Sequence, residues 1–282
     1  MITIDLMGGL GNQLFQIFTC MAVSLDNKQP FVFEYSKMLN ERKTYWDNFL
    51  SALKPYTHPD NPIKQGNWVK FGEKGFHYSQ IPQIKYYNVR LSGYFQSYKY
   101  FEQYQDQIFQ KIQLREQQSQ IRNEYMQNYK PITIAIHFRW GDYKHKQYYH
   151  PLLPFDYYQC AVQTLVETLL ETMPHGSLAN VEFLYFCESE DNIYIEPMIQ
   201  KLNSLFPATY TKVDDSIEDW KQLLIMSCCH HQIIANSSYS WFSGYFNDNP
   251  LKMVCYPSIW FGPGLSHHNL TDLFPPTWKK ID

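Results

Sequence analysis

Five short strand-like runs alternate with helix-period segments through the second half of this chain, and that alternation restricts the fold more than any other feature. The runs fall at 132–138, 181–187, 209–213, 231–235 and 252–256, and apolar residues recur at helical spacing over 155–173, 190–202, 217–228 and 239–247. Strand, helix, strand in that order closes most readily as a parallel pair with the helix packed on one face. Repetition of the unit predicts a parallel, doubly wound sheet. Such sheets bind ligands beyond the C-terminal ends of their strands. The segments that follow these runs are therefore where chemistry is expected.

The first half carries one clear unit of the same kind. Ile2 to Leu6 reads as a buried strand. Leu14, Phe15, Ile17, Phe18, Met21, Ala22 and Leu25 mark a helix over 12–25, and Phe31-Val32-Phe33 a second strand. Val89 to Phe95 reads as a further strand and its exit. Residues 40–80, with Pro55, Pro59 and Pro62, read as irregular, and the Gln-rich stretch 98–128 as a helical connection. At 282 residues the chain suits one large domain or two modest ones. The expected architecture is α/β, with two Rossmann-like parallel-sheet domains at 1–128 and 129–282 facing a cleft.

Composition excludes several functions. The formal net charge is −3 and no dense Lys/Arg block occurs, which argues against a nucleic-acid partner. None of the six cysteines forms Cys-x-x-Cys, and their apolar neighbours predict buried, reduced thiols rather than metal ligands. The N-terminus enters a strand without a basic region and apolar core, and no apolar run approaches the length of a membrane span. A soluble, cytoplasmic chain is expected. Aromatic residues are 17% of the chain, which suits stacking on sugar rings, although core and surface tyrosines explain a composition of this kind more readily.

Three segments carry chemistry. In the first, Gly8-Gly9-Leu10-Gly11-Asn12 follows a strand and opens a helix, so backbone N–H groups there can meet an anion. Leu14 stands where a dinucleotide fingerprint has its third glycine, and no Lys-Ser/Thr pair follows, so neither NAD nor ATP is indicated. A ligand-free βα turn fits the glycines equally well. In the second, His137-Phe138-Arg139-Trp140-Gly141-Asp142 follows an apolar strand. Arg139 offers paired planar donors suited to phosphate. His137 can hydrogen-bond a base or phosphate, and Asp142 can orient Arg139 or accept a proton. The ordinary alternative is a structural Arg–Asp pair.

In the third, Asn236-Ser237-Ser238-Tyr239 lies between a strand and a helix, so its hydroxyls and N–H groups suit an anion or serve as a plain N-cap. Among strand-end acids, Glu188, Glu190 and Asp191 can meet a ribose or base edge, whereas Asp214, Asp215 and Glu218 fit helix starts better. No Asp-x-Asp occurs, so a metal-bridged diphosphate site of that type is not indicated. His145, His150, His230 and His231 lack ligand spacing.

Taken in order, four blocks resemble the α-1,2-fucosyltransferases of glycosyltransferase family 11. They are Gly8 to Gln16, Gly93-Tyr94-Phe95-Gln96-Ser97-x-Lys99-Tyr100-Phe101, His137 to Tyr143, and Ala235 to Phe242; Asp219 to His231 resembles the helix before the last block. The resemblance implies a GT-B fold, a first domain on the acceptor side and a second that binds nucleotide sugar. It implies GDP-β-L-fucose as donor, the 2-hydroxyl of a galactoside-type glycan as acceptor, inversion at the anomeric carbon, and no metal or other cofactor. Carried over residue by residue, it places Arg139 against the donor diphosphate, His137 beside the nucleotide, Gly8, Gly9, Gly11 and Asn12 along the donor cleft, Ser237, Ser238 and Tyr239 at phosphate, and Glu188 at guanine or ribose. Arg139, Asp142 and Asn12 are the catalytic candidates.

This chain departs from the family at three points. Arg139-Trp140 stands where the family has Arg-Arg, Cys187-Glu188-Ser189 where it often has Ser-Asp-Asp, and Trp241-Phe242 where it has Trp-Trp. The competing readings are a GT-B transferase using another nucleotide sugar and a non-catalytic glycan-binding protein.

Overall fold

The computed structural model describes residues 1–58, 67–84, 88–172 and 178–282. Pro59, Pro62 and the last position of the helix expected over 155–173 lie outside the described residues. The chain divides into two compact units, one of 1–117 with 268–276 and the other of 118–267 with 277–282. The sequence alternation divides the chain at 128/129; the contacts divide it after Gln117 and return a short C-terminal segment to the first unit.

In the first unit, β1 (Ile2–Ile4) leads through a glycine turn into α1 (Leu10–Asn27). Four short strands follow: β2 (Phe33–Glu34), β3 (Met38–Leu39), β4 (Arg42–Lys43) and β5 (Thr57–His58). Next come β6 (Trp68–Gly72), β7 (Asn88–Ser92) and α2 (Gln105–Lys111). The main sheet runs β1-β7-β6, all parallel. Phe31 adds a parallel bridge to Ile2, and β2 pairs with β5 in parallel, so the expected strand at 31–33 is taken up by two neighbours. The side chains of α1 at Leu14, Phe15, Ile17, Phe18 and Met21 are buried, which is why a helix of this periodicity forms against this sheet.

Strand β6 corrects the expectation of an irregular 40–80. It pairs along its whole length with β7, from Trp68–Asn88 to Gly72–Ser92. It ends the row of strands, and Val69 is 52% exposed, so the sequence there lacks the buried apolar run that marks an inner strand. The expected helix over 98–128 is also broken. Single turns at Tyr98–Tyr100 and Glu102–Tyr104 precede α2, and Gln113 takes a left-handed backbone (φ +55°) before α3 (Leu114–Tyr125).

The second unit contains β8 (Ile132–His137), α4 (Phe155–Thr172), β9 (Val181–Phe186), α5 (Asn192–Leu205) and β10 (Thr209–Lys212). It continues with α6 (Asp219–Cys228), β11 (His231–Ile233), α7 (Ser238–Phe246), β12 (Val254–Pro257) and β13 (Lys279–Ile281). All six strands are parallel, in the order β10-β9-β8-β11-β12-β13. Numbered within the unit that order is 3-2-1-4-5-6, the doubly wound dinucleotide-binding topology. β13 was not anticipated from its sequence, Lys-Lys-Ile, of which only Ile281 is buried. Every residue of β9 is buried, as expected of a parallel strand covered on both faces. Ile134, Ile136, Phe183, Tyr185, Ile233 and Cys255 from the strands pack with Tyr158, Leu165, Ile195 and Leu202 from the helices.

Both units are α/β with a parallel main sheet, as the GT-B expectation requires of each, and β3 and β4 add a short antiparallel pair to the first. In the second, the order in which strands are added reverses about β8: β9 and β10 lie to one side, β11 to β13 to the other. Sheets of this topology take ligands in the crevice beyond the strand ends at such a reversal, which here lies beyond His137 and Ile233.

Candidate active site

Arg139 sits two residues beyond β8, at the reversal point. Its guanidinium donates to the carboxylates of Asp142 and Glu188, and its centre lies 4.9 Å from the Tyr143 ring centroid. Its side chain is 19% exposed. Burial opposes the charge, yet Tyr143, Glu188 and Asp142 together hold the guanidinium above its ordinary range. Asp142 also accepts from Lys146 (2.8 Å). The structure therefore brings Arg139, Asp142 and Glu188 together, and adds a cation that the motif reading left out.

A buried acid sets the loop between them. Asp191 is fully buried; its Oδ2 accepts the Gly141 N–H (2.6 Å) and its Oδ1 accepts from Lys144 (2.6 Å). Gly141 has φ +30°, and a Cβ there would lie 2.5 Å from Glu188 Oε1, so glycine lets the Glu188 carboxylate close on Arg139. Asp191, expected among the strand-end acids that can meet a ribose or base edge, is instead turned inward to support the loop, and Lys144 has no place in the motif reading. The signal was faint: a carboxylate three residues past Glu188, and a lysine just after the motif.

His137 ends β8, buried, with its ring centroid 5.5 Å from that of Tyr239. Burial, then Arg139 and Lys212, push its pKa down to about 3, so the imidazole is neutral at pH 7. A neutral ring can donate one hydrogen bond and accept one, and it adds no cation against phosphate. Its Nδ1 is buried without a hydrogen-bond partner, as is Asn236 Oδ1. Two orphaned polar atoms flank the crevice, where buried polar groups are ordinarily paired. Asn236 is held by donation to the carbonyls of Pro151 (3.0 Å) and Trp260 (3.2 Å), and its own carbonyl accepts from Tyr143 Oη (3.2 Å). It belongs to the third motif, whose expected site residues are Ser237, Ser238 and Tyr239.

Ser237 is the N-cap of α7, its Oγ accepting the Tyr239 N–H at 3.3 Å. Tyr239 anchors by donating to the Asp219 carbonyl (2.5 Å). Ser237, Ser238 and Tyr239 thus lie at a helix start beside β8. Trp140, the departure from Arg-Arg, stacks on Tyr194 with centroids 5.2 Å apart.

The glycine turn belongs to the first unit. Gly8 has φ +76°, and a Cβ there would meet Asn12 Nδ2 at 2.4 Å. Gly9 caps α1 without a side chain, and the first turn of that helix holds no acid. Gly11 is buried, and the Asn12 Oδ1 accepts from Gln96 Nε2 (2.7 Å). Gln13 donates to the carbonyls of Gly8 and Lys43, both at 2.9 Å.

The other titratable groups are structural. The Thr133 N–H donates to His230 Nδ1 (3.1 Å) and the Met253 N–H to His231 Nδ1 (3.0 Å), which fixes those rings as acceptors. Burial pushes His231 down to about 4 and the Cys187 and Cys255 thiols up to about 12. Cys20, Cys187, Cys229 and Cys255 are buried as expected, whereas Cys228 is only half-buried and Cys160, on α4, is exposed. Among the described residues, no group of three or more His, Cys, Asp or Glu is arranged to hold a metal ion, and no helix is long and apolar enough to cross a membrane.

A doubly wound sheet of this order, with an ion-paired arginine and a capped helix at its reversal point, defines an α/β protein whose fold class takes its ligands there. The family model described as glycosyl transferase family 11 matches residues 1–259. The chain belongs to glycosyl transferase family 11, and it is a glycosyltransferase. A relative, the O-antigen biosynthesis glycosyltransferase WbnK of Escherichia coli, is 26% identical over 98% of this chain and 99% of its own length. The solved structure of the E. coli ADP-heptose lipopolysaccharide heptosyltransferase II is 14% identical, with a TM-score of 0.35 over 58% of this chain and 42% of that one.

Proposed function

We propose that the protein is an inverting α-1,2-L-fucosyltransferase that moves fucose from GDP-β-L-fucose to the 2-hydroxyl of a galactoside-type glycan. The observation that carries this reading is Arg139 at the reversal point of a doubly wound sheet, within the family's own motif. The O-antigen relative supports a bacterial surface polysaccharide as the acceptor class.

In this reading the acceptor oxygen attacks the anomeric carbon from the face opposite GDP. The bond from that carbon to the diphosphate oxygen breaks, and its electron pair leaves with GDP. Negative charge grows on the diphosphate as the bond lengthens. Arg139 and the N–H groups at the start of α7 meet that charge, and a preorganised cation does so without rearrangement in the transition state. Asp142 and Glu188 hold the guanidinium in place beforehand. Metal is not required for this charge balance, and no cofactor other than the donor substrate is assigned.

His137 Nδ1 and Asn236 Oδ1, both orphaned, take polar groups of the nucleotide. The Asp142 carboxylate is the first candidate to receive the acceptor proton, although it already holds Arg139 and Lys146. The neutral His137 imidazole is the second. In the first unit, Gly8, Gly9, Gly11 and Asn12 serve the donor through the start of α1, where backbone N–H groups favour an anion.

Calorimetric titration with GDP and with UDP, in EDTA, beside Arg139→Ala tests the reading. Binding of GDP that is lost in the variant supports it. Preference for UDP overturns the fucose donor and keeps a transferase of another nucleotide sugar.

A further inference from the structure

The block Gly93 to Ser97 is as much a part of the family pattern as the other three, yet the proposed chemistry leaves it without a task. Its backbone is unusual. Gly93 has φ +157° and Phe95 φ +52°, and Phe95 is fully buried. A left-handed conformation at a bulky residue costs about 1–2 kcal/mol, so something in the fold must hold it.

Glu73 holds it. This residue follows β6 directly, and its own N–H donates to the Ser92 carbonyl (2.9 Å), extending the β6–β7 ladder by one bond. Its Oε2 accepts the Tyr94 N–H (2.8 Å) and its Oε1 the Phe95 N–H (2.9 Å). Hydrogen bonds to an ionised carboxylate are about twice as strong as neutral ones. The approach is close: a Cβ on Gly93 would lie 2.4 Å from the Glu73 Cβ, which accounts for glycine at that position.

The next residue after the clamp is Gln96, buried, whose Nε2 donates to Asn12 Oδ1 (2.7 Å). That bond decides which end of the Asn12 carboxamide faces which way. With Oδ1 turned to Gln96, Nδ2 lies over Gly8, in the turn that opens α1. A second amide laces the same two segments: Gln16 accepts the Met7 N–H (2.9 Å) and donates to the Gly93 carbonyl (3.2 Å).

We propose that Glu73 is a positioning residue, which acts through the Gly93–Gln96 loop to orient the Asn12 carboxamide with its NH2 toward the oxygen of a bound donor. The inference rests on the reading of Asn12 given above. It assigns a task to the second motif, and to an acid in a region that the sequence pattern left irregular.

The test is a thermodynamic cycle. Glu73→Gln keeps the shape but sets an NH2 against one of the two N–H donors. Transfer from GDP-fucose to lactose is measured for the parent, Glu73→Gln, Asn12→Ala and the double variant, with GDP affinity measured in parallel. The expected result is a fall in kcat of about tenfold for Glu73→Gln, unchanged GDP affinity, and no further loss when Asn12 is already alanine. Gln96→Leu, which removes the middle link without touching the clamp, is expected to behave in the same way and serves if Glu73→Gln folds poorly. Losses that add in the double variant, or full turnover in Asn12→Ala, overturn the proposal.

The Asn12 side-chain NH2 resonances, assigned by their absence in Asn12→Ala, supply an arm independent of the donor. Their shift in Glu73→Gln is expected, and resonances that stay in place sink the proposal. A parent inactive with GDP-fucose sinks the donor assignment instead, and the resonances still decide the role of Glu73.

Discussion

The two motif-bearing turns of this molecule are built from opposite materials. The turn before α1 is made of glycine and carboxamides: Asn12, Gln13, Gln16 and Gln96 bond to one another's segments and to backbone. The turn after β8 is made of charge: Arg139, Lys144 and Lys146 interleave with Asp142, Glu188 and Asp191. A carboxamide lattice keeps its shape across pH and salt because none of its members titrates. A charged lattice can exchange partners, since each carboxylate on Arg139 can give way to a phosphate oxygen of similar geometry. One turn therefore fixes shape, and the other meets a ligand charge that develops during reaction.

Removing the central cation is the strongest way to break this contrast. Arg139→Ala is expected to lower kcat/KM by about a hundredfold or more, as for other groups that stabilise developing charge. Steady-state kinetics on a variant with parental circular dichroism checks it. Turnover close to parental would dissolve the distinction between the two turns.

Cutting the buried support comes next. Asp191→Ala leaves the Gly141 N–H without its partner and Lys144 without its buried acceptor. A loss of about 1–3 kcal/mol in unfolding free energy is expected, the cost of a buried N–H left without an acceptor. Urea denaturation measures it, and a loss below 1 kcal/mol would mean that solvent replaces the carboxylate.

Acid should act on the second unit. His137 and His231, with pKa values pushed down to about 3 and about 4, bind protons far more readily once unfolded. The sign follows: below the ordinary histidine range, near pH 6.5, the unfolded chain takes up more protons, so stability falls with pH and the loss levels off once the folded-state values are passed. Between pH 6.5 and pH 5 each ring contributes about 2 kcal/mol of lost stability. Hydrogen exchange at the two pH values is expected to show deprotection in the β8 and β11 segments and little change in α1. Equal deprotection of both would remove the contrast.

The smallest expected effect is in the neutral turn. Gly8→Ala forces a side chain onto a backbone at φ +76° and against Asn12. A loss of about 1–2 kcal/mol is expected from the left-handed backbone alone. Thermal unfolding reads it, and an unchanged Tm would show that the turn relaxes.

Much of this was legible in the chain itself. The inner strands of the second unit are continuous apolar runs because both of their faces are covered, and the glycine, His-x-Arg and Asn-Ser-Ser segments fall after strands because chemistry in parallel sheets gathers there. Edge elements were less readable. Trp68–Gly72 and Lys279–Ile281 pair through backbone hydrogen bonds that need no apolar pattern. The support of the site was not readable either. Asp191 stood out only as a strand-end acid, not as a buried support, and nothing local distinguishes Lys144 or Glu73, whose carboxylate clamps N–H groups 21 and 22 residues away, from any surface residue.

The sequence by itself determined the parallel α/β class, the family, and the segments that carry chemistry, because burial periodicity and turn glycines are local consequences of residue type. Tertiary structure alone decided the strand order, and with it the reversal point that places β8 beside β11. It also decided which carboxylates meet Arg139, which acid is buried beneath Gly141, and how Asn12 is turned. Those depend on approach between residues distant in the chain, which local propensity does not encode.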